Sequence, residues 1–136
     1  MNMDFSPIFK LHNDFTARSI QEKELRKHYG YVKSKVINSM GPYLVIGLNP
    51  YEVNIHVKVN GREVLSCTGK NINYKIEEVI SYVSSQGEGI KAGQVIGLGA
   101  LSGGTLFEME LDLLKSGDIV ELIGNQQIGR LVNTIK

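Results

Sequence analysis

Apolar and polar residues alternate strictly from Val53 to Asn60, with valine or isoleucine at every odd position. A period of two residues predicts a strand that is buried on one face. The pair Asn60 and Gly61 follows at once, and these residue types adopt the positive φ angles that a type I′ turn requires. The pattern therefore predicts a β-hairpin in which residues 62–66 return antiparallel to the first strand.

Two segments carry the spacing of α-helices. Residues 74–85 place apolar side chains at i, i+3, i+4 and i+7, which predicts an amphipathic helix packed on a sheet. These side chains are Ile76, Val79, Ile80 and Val83. Residues 19–29 carry two acid-first i,i+4 pairs, so we expect a short helix there that stops at Gly30. The pairs are Glu22 with Arg26 and Glu24 with His28.

The remaining apolar runs predict further strands separated by glycine-rich turns. The strands are expected at residues 94–98, 106–111, 119–123 and 128–135, with the tail of another at residues 5–12 and a turn at 115–118. Strands outnumber helices, and no internal repeat or linker interrupts them. The sequence therefore predicts a β-rich α+β fold in a single domain spanning residues 1–136.

Composition narrows the classes of function. A chain of 136 residues with 42% hydrophobic content is long enough to bury one core, and its formal net charge is only +1. So small a charge provides no field to attract nucleic acid or an anionic membrane, and we expect neither as a partner. Cys67 is the single cysteine, which excludes an intrachain disulfide. With no signal segment at its start, the chain is predicted to be cytoplasmic.

A set of short motifs lies between residues 12 and 45. An Asn-Asp pair is followed by Ala-Arg-x-x-Gln, then by Lys-Ser about a dozen residues later, then by Gly-Pro-Tyr-Leu-Val. The residues are Asn13, Asp14, Ala17, Arg18, Gln21, Lys33, Ser34 and 41–45. This order resembles the second half of the active site in the fumarylacetoacetate hydrolase family.

The C-terminal part of the chain extends the resemblance. A helix is followed by Gly-x-Val-Ile at residues 93–96, a glycine-rich turn at 97–104, Leu-Lys-x-Gly-Asp within 114–122, and Leu-x-Asn at 131–133. The resemblance thus covers nearly all of the chain from about residue 9. It implies the rolled, mixed β-sandwich of that family's catalytic domain, present here in part.

The resemblance also implies a chemistry. Family enzymes bind a divalent metal, usually magnesium, with manganese or calcium as alternatives, and Asp14 matches one of the metal-binding carboxylates. Lys33 matches the lysine that stabilises the carbanion or enolate formed on carbon–carbon cleavage. Arg18 and Gln21 match residues that orient the substrate, and Ala100 occupies a substrate-facing position that usually carries a threonine hydroxyl. The implied substrate is a small diketo acid or 2-oxo acid of the acylpyruvate type.

Several alternatives remain open at this point. The same metal site serves hydratases and decarboxylases of 2-oxo acids, and the chain is also interpretable as a non-catalytic remnant of the fold. The family's Glu-x-Glu metal segment would lie upstream of Met1, so the chain is expected to be a C-terminal portion. An exposed sheet edge would then favour a homodimer or association with a complementary N-terminal segment.

Each of these candidate residues also has a purely structural interpretation. Asn13 and Asp14 suit a turn at a strand end, Arg18 suits a solvated partner of Glu22, and Lys33 suits the surface. Glu108 and Glu110 form an apparent Glu-x-Glu, but alternation places both on one solvated face of a late strand. None of the three histidines has a second ligand at a useful spacing. They are His12, His28 and His56.

Overall fold

A four-stranded antiparallel sheet forms the base of the fold. The computed structural model describes residues 7–28, 30, 35–125 and 127–136. Strands β5 (Asn54–Val59), β6 (Arg62–Thr68), β7 (Ile119–Gly124) and β8 (Arg130–Thr134) take the order β6-β5-β7-β8. The hairpin β5–β6 is confirmed: Asn60 and Gly61 have φ angles of 52° and 78°. The odd-numbered residues of β5 lie on one face of the sheet. On that face Val57 is opposite Leu65 of β6 and opposite Leu122 of β7.

A two-stranded ribbon packs on that face of the sheet. Strands β2 (His12–Thr16) and β3 (Lys35–Met40) pair antiparallel, with a register shift between Phe15 and Thr16. Leu11, directly before β2, is 2% exposed and belongs to a cluster with Val53, Ile128 and Leu131. Phe15 packs on a second cluster, around Val57. Both contacts hold the ribbon on the sheet.

The two remaining strands form a separate, smaller ribbon. It consists of β1 (Ile8–Phe9) and β4 (Val45–Ile46), which also pair antiparallel. Within the described ranges, every strand pairing is antiparallel. Short 3₁₀ helices cover Pro50–Glu52 and Gly69–Asn71. The result is a strand-rich α+β fold, as the sequence predicts.

Both predicted helices form, with shifted ends. Helix α2 covers Ile76–Ser84, and the four apolar residues predicted for its inner face are buried or half-buried. The Glu78 carboxylate accepts a hydrogen bond from the backbone N–H of Lys75 at 2.9 Å, which satisfies one donor of the first turn. Helix α1 covers Arg18–Arg26. The stop predicted at Gly30 is wrong, because His28 already takes the left-handed conformation with φ 55°.

Two predicted strands do not form. Residues 94–98 lie outside any strand, following a turn in which Gly93 has φ +85°. Residues 106–111 form a turn instead, since the Leu111 N–H bonds to the Leu106 carbonyl at 3.0 Å and Glu110 has φ 53°. Alternation alone gave the wrong prediction because a strand also needs a neighbouring strand to complete its hydrogen bonds. The predictions for β7, β8 and the turn at residues 115–118 are confirmed.

The turn at residues 115–118 is tied to the tip of the β5–β6 hairpin. Asn60 donates a side-chain hydrogen bond to Asp118 at 2.9 Å and accepts one from the Ile119 N–H at 2.9 Å. Asp118 also accepts from the backbone N–H of Lys115 at 2.7 Å. That bond, with the bond from Asn60, lowers the pKa of the Asp118 carboxyl.

Across the described residues, neither α1 nor α2 is long and apolar enough to cross a bilayer.

Candidate functional site

The β2–β3 ribbon separates packing residues from polar residues. Because strand side chains alternate, Leu11 and Phe15 face the sheet while His12 and Asp14 face away from it. Asn38 lies directly opposite Asp14 in the register, so it shares the outer face. Asn13 and Asp14 therefore lie within a paired strand, and the turn interpretation is wrong. The outer face of the ribbon is the floor of the candidate site.

His12 connects this floor to the glycine-rich loop. Its Nε2 lies 3.0 Å from the Asn38 Oδ1, a hydrogen bond in which the histidine is the donor. A methyl group built on Gly97 would lie 3.6 Å from the imidazole, so the backbone of Gly97 passes close to the ring. The loop that carries Ala100 thus begins beside the strand that carries Asp14.

Arg18 forms a fixed cationic group at the start of α1. Its Nη1 donates to the Gln21 Oε1 at 2.7 Å, and its guanidinium carbon lies 4.8 Å from the centre of the Phe107 ring. Arg18 and Gln21 are both half-buried. A guanidinium held by one amide and one aromatic face keeps further N–H donors for a planar anion such as a carboxylate. Glu22 instead pairs with Arg26 at 2.5 Å, so the reading of Arg18 as a partner of Glu22 is wrong.

The described residues are incomplete as a divalent-metal site. Magnesium takes hard oxygen ligands in octahedral geometry, often one or two carboxylates with substrate and water. Asp14 offers one exposed carboxylate, but the Asn38 amide oxygen beside it already accepts from His12. Within the described ranges, no three histidine, cysteine, aspartate or glutamate residues are grouped for metal binding. These residues alone therefore do not fit a closed metal centre.

The other residues singled out in the sequence lie as follows. Ala100 is exposed in the glycine-rich loop. Lys33 falls outside the described residues, so its predicted role stays a prediction. Glu108 and Glu110 are exposed, as expected for solvated carboxylates, although they occupy a turn and not a strand.

Sequence reasoning missed two members of the site. Phe107 lies 89 positions after Arg18 in the chain, and nothing local in the sequence links an aromatic residue in a turn to a distant arginine. No local pattern marks Asn38 either, since it lies between apolar Ile37 and polar Ser39 without a regular alternation. Its pairing with His12 became visible only with the register of β2 and β3.

Cys67 does not have the surroundings of a reactive thiol. It is half-buried on β6, where its Sγ lies 3.8 Å from the Ile55 carbonyl oxygen. Burial raises the pKa of this thiol, so it stays protonated near neutral pH. Because the thiolate is the reactive form of cysteine, this environment does not favour a nucleophilic role for Cys67.

Comparison with known proteins reveals one family. Residues 8–136 match the family described as fumarylacetoacetate (FAA) hydrolase, C-terminal. An uncharacterized protein of Archaeoglobus fulgidus is 32% identical over 125 residues, which cover 90% of this chain and 45% of that protein. A fumarylacetoacetate hydrolase domain-containing protein 2 homolog of Dictyostelium discoideum is 29% identical, covering 91% of this chain and 44% of its own length.

Solved structures give the same picture of the fold. The chain is similar to a 5-carboxymethyl-2-hydroxymuconate delta-isomerase from Mycobacterium smegmatis, with a TM-score of 0.73 and 24% identity. That match covers 91% of this chain and 46% of the isomerase chain. The chain thus spans about half the length of the relatives named above. With nearly its whole length matched, this chain belongs to the fumarylacetoacetate hydrolase family.

Proposed function

We propose that this domain binds the carboxylate of a small diketo acid or 2-oxo acid, in an enzyme that hydrolyses a carbon–carbon bond with the help of a divalent metal. The observation that carries the proposal is the Arg18 group. Its guanidinium is fixed by Gln21 at 2.7 Å and by Phe107 at 4.8 Å, on the helix that directly follows the strand carrying Asp14. A pre-oriented fork of this kind loses little freedom when it binds a carboxylate.

The reaction requires that one end of the substrate be held while the other is cleaved. Hydrolysis of an acylpyruvate breaks the bond between the acyl carbonyl carbon and the methylene carbon. The elements of water are added, and the products are a carboxylic acid and pyruvate. Arg18 would hold the pyruvate carboxylate, and Gln21 would keep the guanidinium in place. Lys33 would stabilise the enolate, as the family resemblance implies.

A bound divalent metal would supply Lewis-acid polarisation of the keto oxygens in this chemistry. Asp14 would contribute one carboxylate to it. The domain is then one part of a metal site that needs further ligands, and binding of magnesium by these residues alone would be weak.

The test is ligand binding by calorimetry with acetylpyruvate as the probe, at millimolar magnesium and at millimolar manganese. Arg18→Lys keeps the charge but loses the bidentate fork, so affinity should fall about 10- to 100-fold, the equivalent of a hydrogen bond between charged groups. Arg26→Ala is the matched control, because Arg26 lies on the same helix but is exposed and paired with Glu22. Equal affinity in Arg18→Lys and Arg26→Ala would refute the role of Arg18.

Turnover distinguishes the proposed hydrolysis from the alternatives. Release of pyruvate identifies carbon–carbon cleavage, whereas a change in absorbance of the enol without pyruvate identifies an isomerase. That second assay is included because the Mycobacterium smegmatis protein of similar fold is described as a delta-isomerase. Release of carbon dioxide identifies a decarboxylase. Binding without any product would identify a non-catalytic domain that retains the ligand site.

A further inference from the structure

Asn38 lies on the outer face of the β2–β3 ribbon, which is the floor of the candidate site. It is directly opposite Asp14 in the strand register, and its side chain is exposed. Residues opposite each other on one face of an antiparallel pair have Cβ atoms about 4.5–5.5 Å apart. A small molecule that contacts Asp14 would therefore also come within reach of Asn38.

The hydrogen bond from His12 determines which atoms of Asn38 can bind a ligand. A side-chain amide has one oxygen, which accepts, and one NH₂ group, which donates. The oxygen Oδ1 accepts from the His12 Nε2 at 3.0 Å. The Asn38 Nδ2 has no hydrogen-bond partner in the part of the chain that the structure describes. Asn38 therefore offers a ligand its two N–H donors.

The strand that carries Asn38 is anchored on the sheet by the next residue. The Oγ of Ser39 accepts a hydrogen bond from the Asn133 Nδ2 of β8 at 2.6 Å. The Asn133 Oδ1 is buried and has no hydrogen-bond partner among the described residues, which lowers the contribution of this amide to stability. The bond is better explained by the position that it gives to β3. Because His12 holds its side chain and Asn133 its strand, Asn38 has little freedom to lose when a ligand binds.

Uncharged N–H donors at this position suit a keto oxygen. The keto oxygens of an acylpyruvate only accept hydrogen bonds, and they lie along the chain from the carboxylate that Arg18 is proposed to bind. A hydrogen bond to such an oxygen strengthens when the oxygen gains negative charge, as it does when an enolate forms. A fixed amide donor therefore binds the diketo acid and stabilises its enolate more strongly.

We propose that Asn38 is a substrate-binding residue whose NH₂ group donates to a keto oxygen of the diketo acid. His12 is its positioning residue, because it occupies the Asn38 Oδ1 and so reserves the NH₂ group for the ligand. The inference rests on the proposed function, since it concerns the same ligand on the same face of the ribbon. It adds a basis for specificity, because a carboxylate without keto oxygens lacks the group that Asn38 binds.

Two probes with the same carbon skeleton separate the contact to Asn38 from the contact to Arg18. Acetylpyruvate carries two keto groups and a carboxylate, whereas pentanoate carries the carboxylate alone. Their affinities for the full chain are measured by calorimetry at millimolar magnesium. Asn38→Ala should lower the affinity for acetylpyruvate about 10-fold, as expected for one lost hydrogen bond, and should leave the affinity for pentanoate unchanged. Arg18→Lys should lower both affinities.

His12 is tested by two substitutions of similar size. His12→Gln keeps an N–H donor close to the position of the imidazole Nε2, so it should retain most of the affinity for acetylpyruvate. His12→Leu removes the donor and should lower that affinity as much as Asn38→Ala does. Both residues are exposed, so these changes leave the core intact, and circular dichroism checks the folding of each variant. Asn73→Ala, at an exposed asparagine outside the ribbon, is the matched control and should bind both probes as the parent chain does.

The outcomes distinguish this inference from the proposed function. The inference is overturned if Asn38→Ala binds acetylpyruvate as tightly as the parent, or if it loses affinity for both probes equally. It is also overturned if His12→Gln and His12→Leu behave alike, or if the parent binds pentanoate as tightly as acetylpyruvate. In each of these cases a loss of affinity in Arg18→Lys would still support the proposed function. If neither probe binds to the parent chain, the inference and the proposed function both fail.

Discussion

Replacing Leu11 by alanine tests whether the candidate site is held on the sheet by packing. Leu11 is 2% exposed and contacts a cluster formed by Val53, Ile128 and Leu131, so the substitution leaves a cavity between the ribbon and the sheet. It also leaves the backbone bond from the Gly41 N–H to the Leu11 carbonyl, at 2.8 Å, in place. The change therefore isolates the side-chain contribution.

The magnitude follows from the buried carbon atoms. Three carbon groups are lost at about 0.8 kcal/mol each, or about 2.4 kcal/mol, and the cavity adds to this within the 2–5 kcal/mol range of such substitutions. We expect about 3 kcal/mol. With an unfolding entropy of about 2.1 cal/mol/K per residue, the 136-residue chain should lose about 10 °C in Tm.

The assay is urea unfolding and thermal melting followed by circular dichroism. Leu44→Ala is the control, since Leu44 is 66% exposed and its truncation should change the free energy of unfolding by less than about 0.5 kcal/mol. A loss below about 1 kcal/mol for Leu11→Ala, or an equal loss in both variants, would refute the packing of the ribbon described above.

Two further predictions concern Asp118, in the turn at residues 115–118, and Gly69, at the start of the 3₁₀ helix Gly69–Asn71. Asp118→Asn should lower Tm at pH 5–7, because the Lys115 N–H stabilises the carboxylate and lowers its pKa. Since the pKa is depressed in the folded state, this difference should shrink as pH falls below about 4 towards the folded pKa, and a difference that grows in acid would contradict the assignment. Gly69→Ala should cost about 3 kcal/mol or more, because its new methyl would lie 1.8 Å from the Pro50 carbonyl oxygen. The same substitution at Gly30, where a methyl meets no described atom within 4 Å, should be close to neutral in urea unfolding.

Local patterns predicted the elements whose hydrogen bonds form within a short stretch of chain. The β5–β6 hairpin follows from alternation plus Asn60 and Gly61, which reach positive φ at little cost. Helix α2 follows from the spacing of Ile76, Val79, Ile80 and Val83, which forms one apolar face. In each case the residues that decide the structure are neighbours in sequence.

Elements that need a distant partner could not be predicted in this way. Residues 106–111 alternate as a strand would, yet they form a turn, because no described strand pairs with them. The end of α1 was misplaced for a local reason, since His28 takes a left-handed conformation that glycine adopts more readily.

The sequence by itself determined the family, the fold class and the candidate roles of Asp14, Arg18 and Gln21, because these follow from the order of the motifs and from the chemistry of each residue. Only the tertiary structure decided which other residues these side chains lie beside. The register of β2 and β3 placed Asn38 opposite Asp14, and the turn at residues 106–111 brought Phe107 to Arg18. Such contacts join residues far apart in sequence, and they are fixed by packing of the whole sheet, which no local pattern encodes.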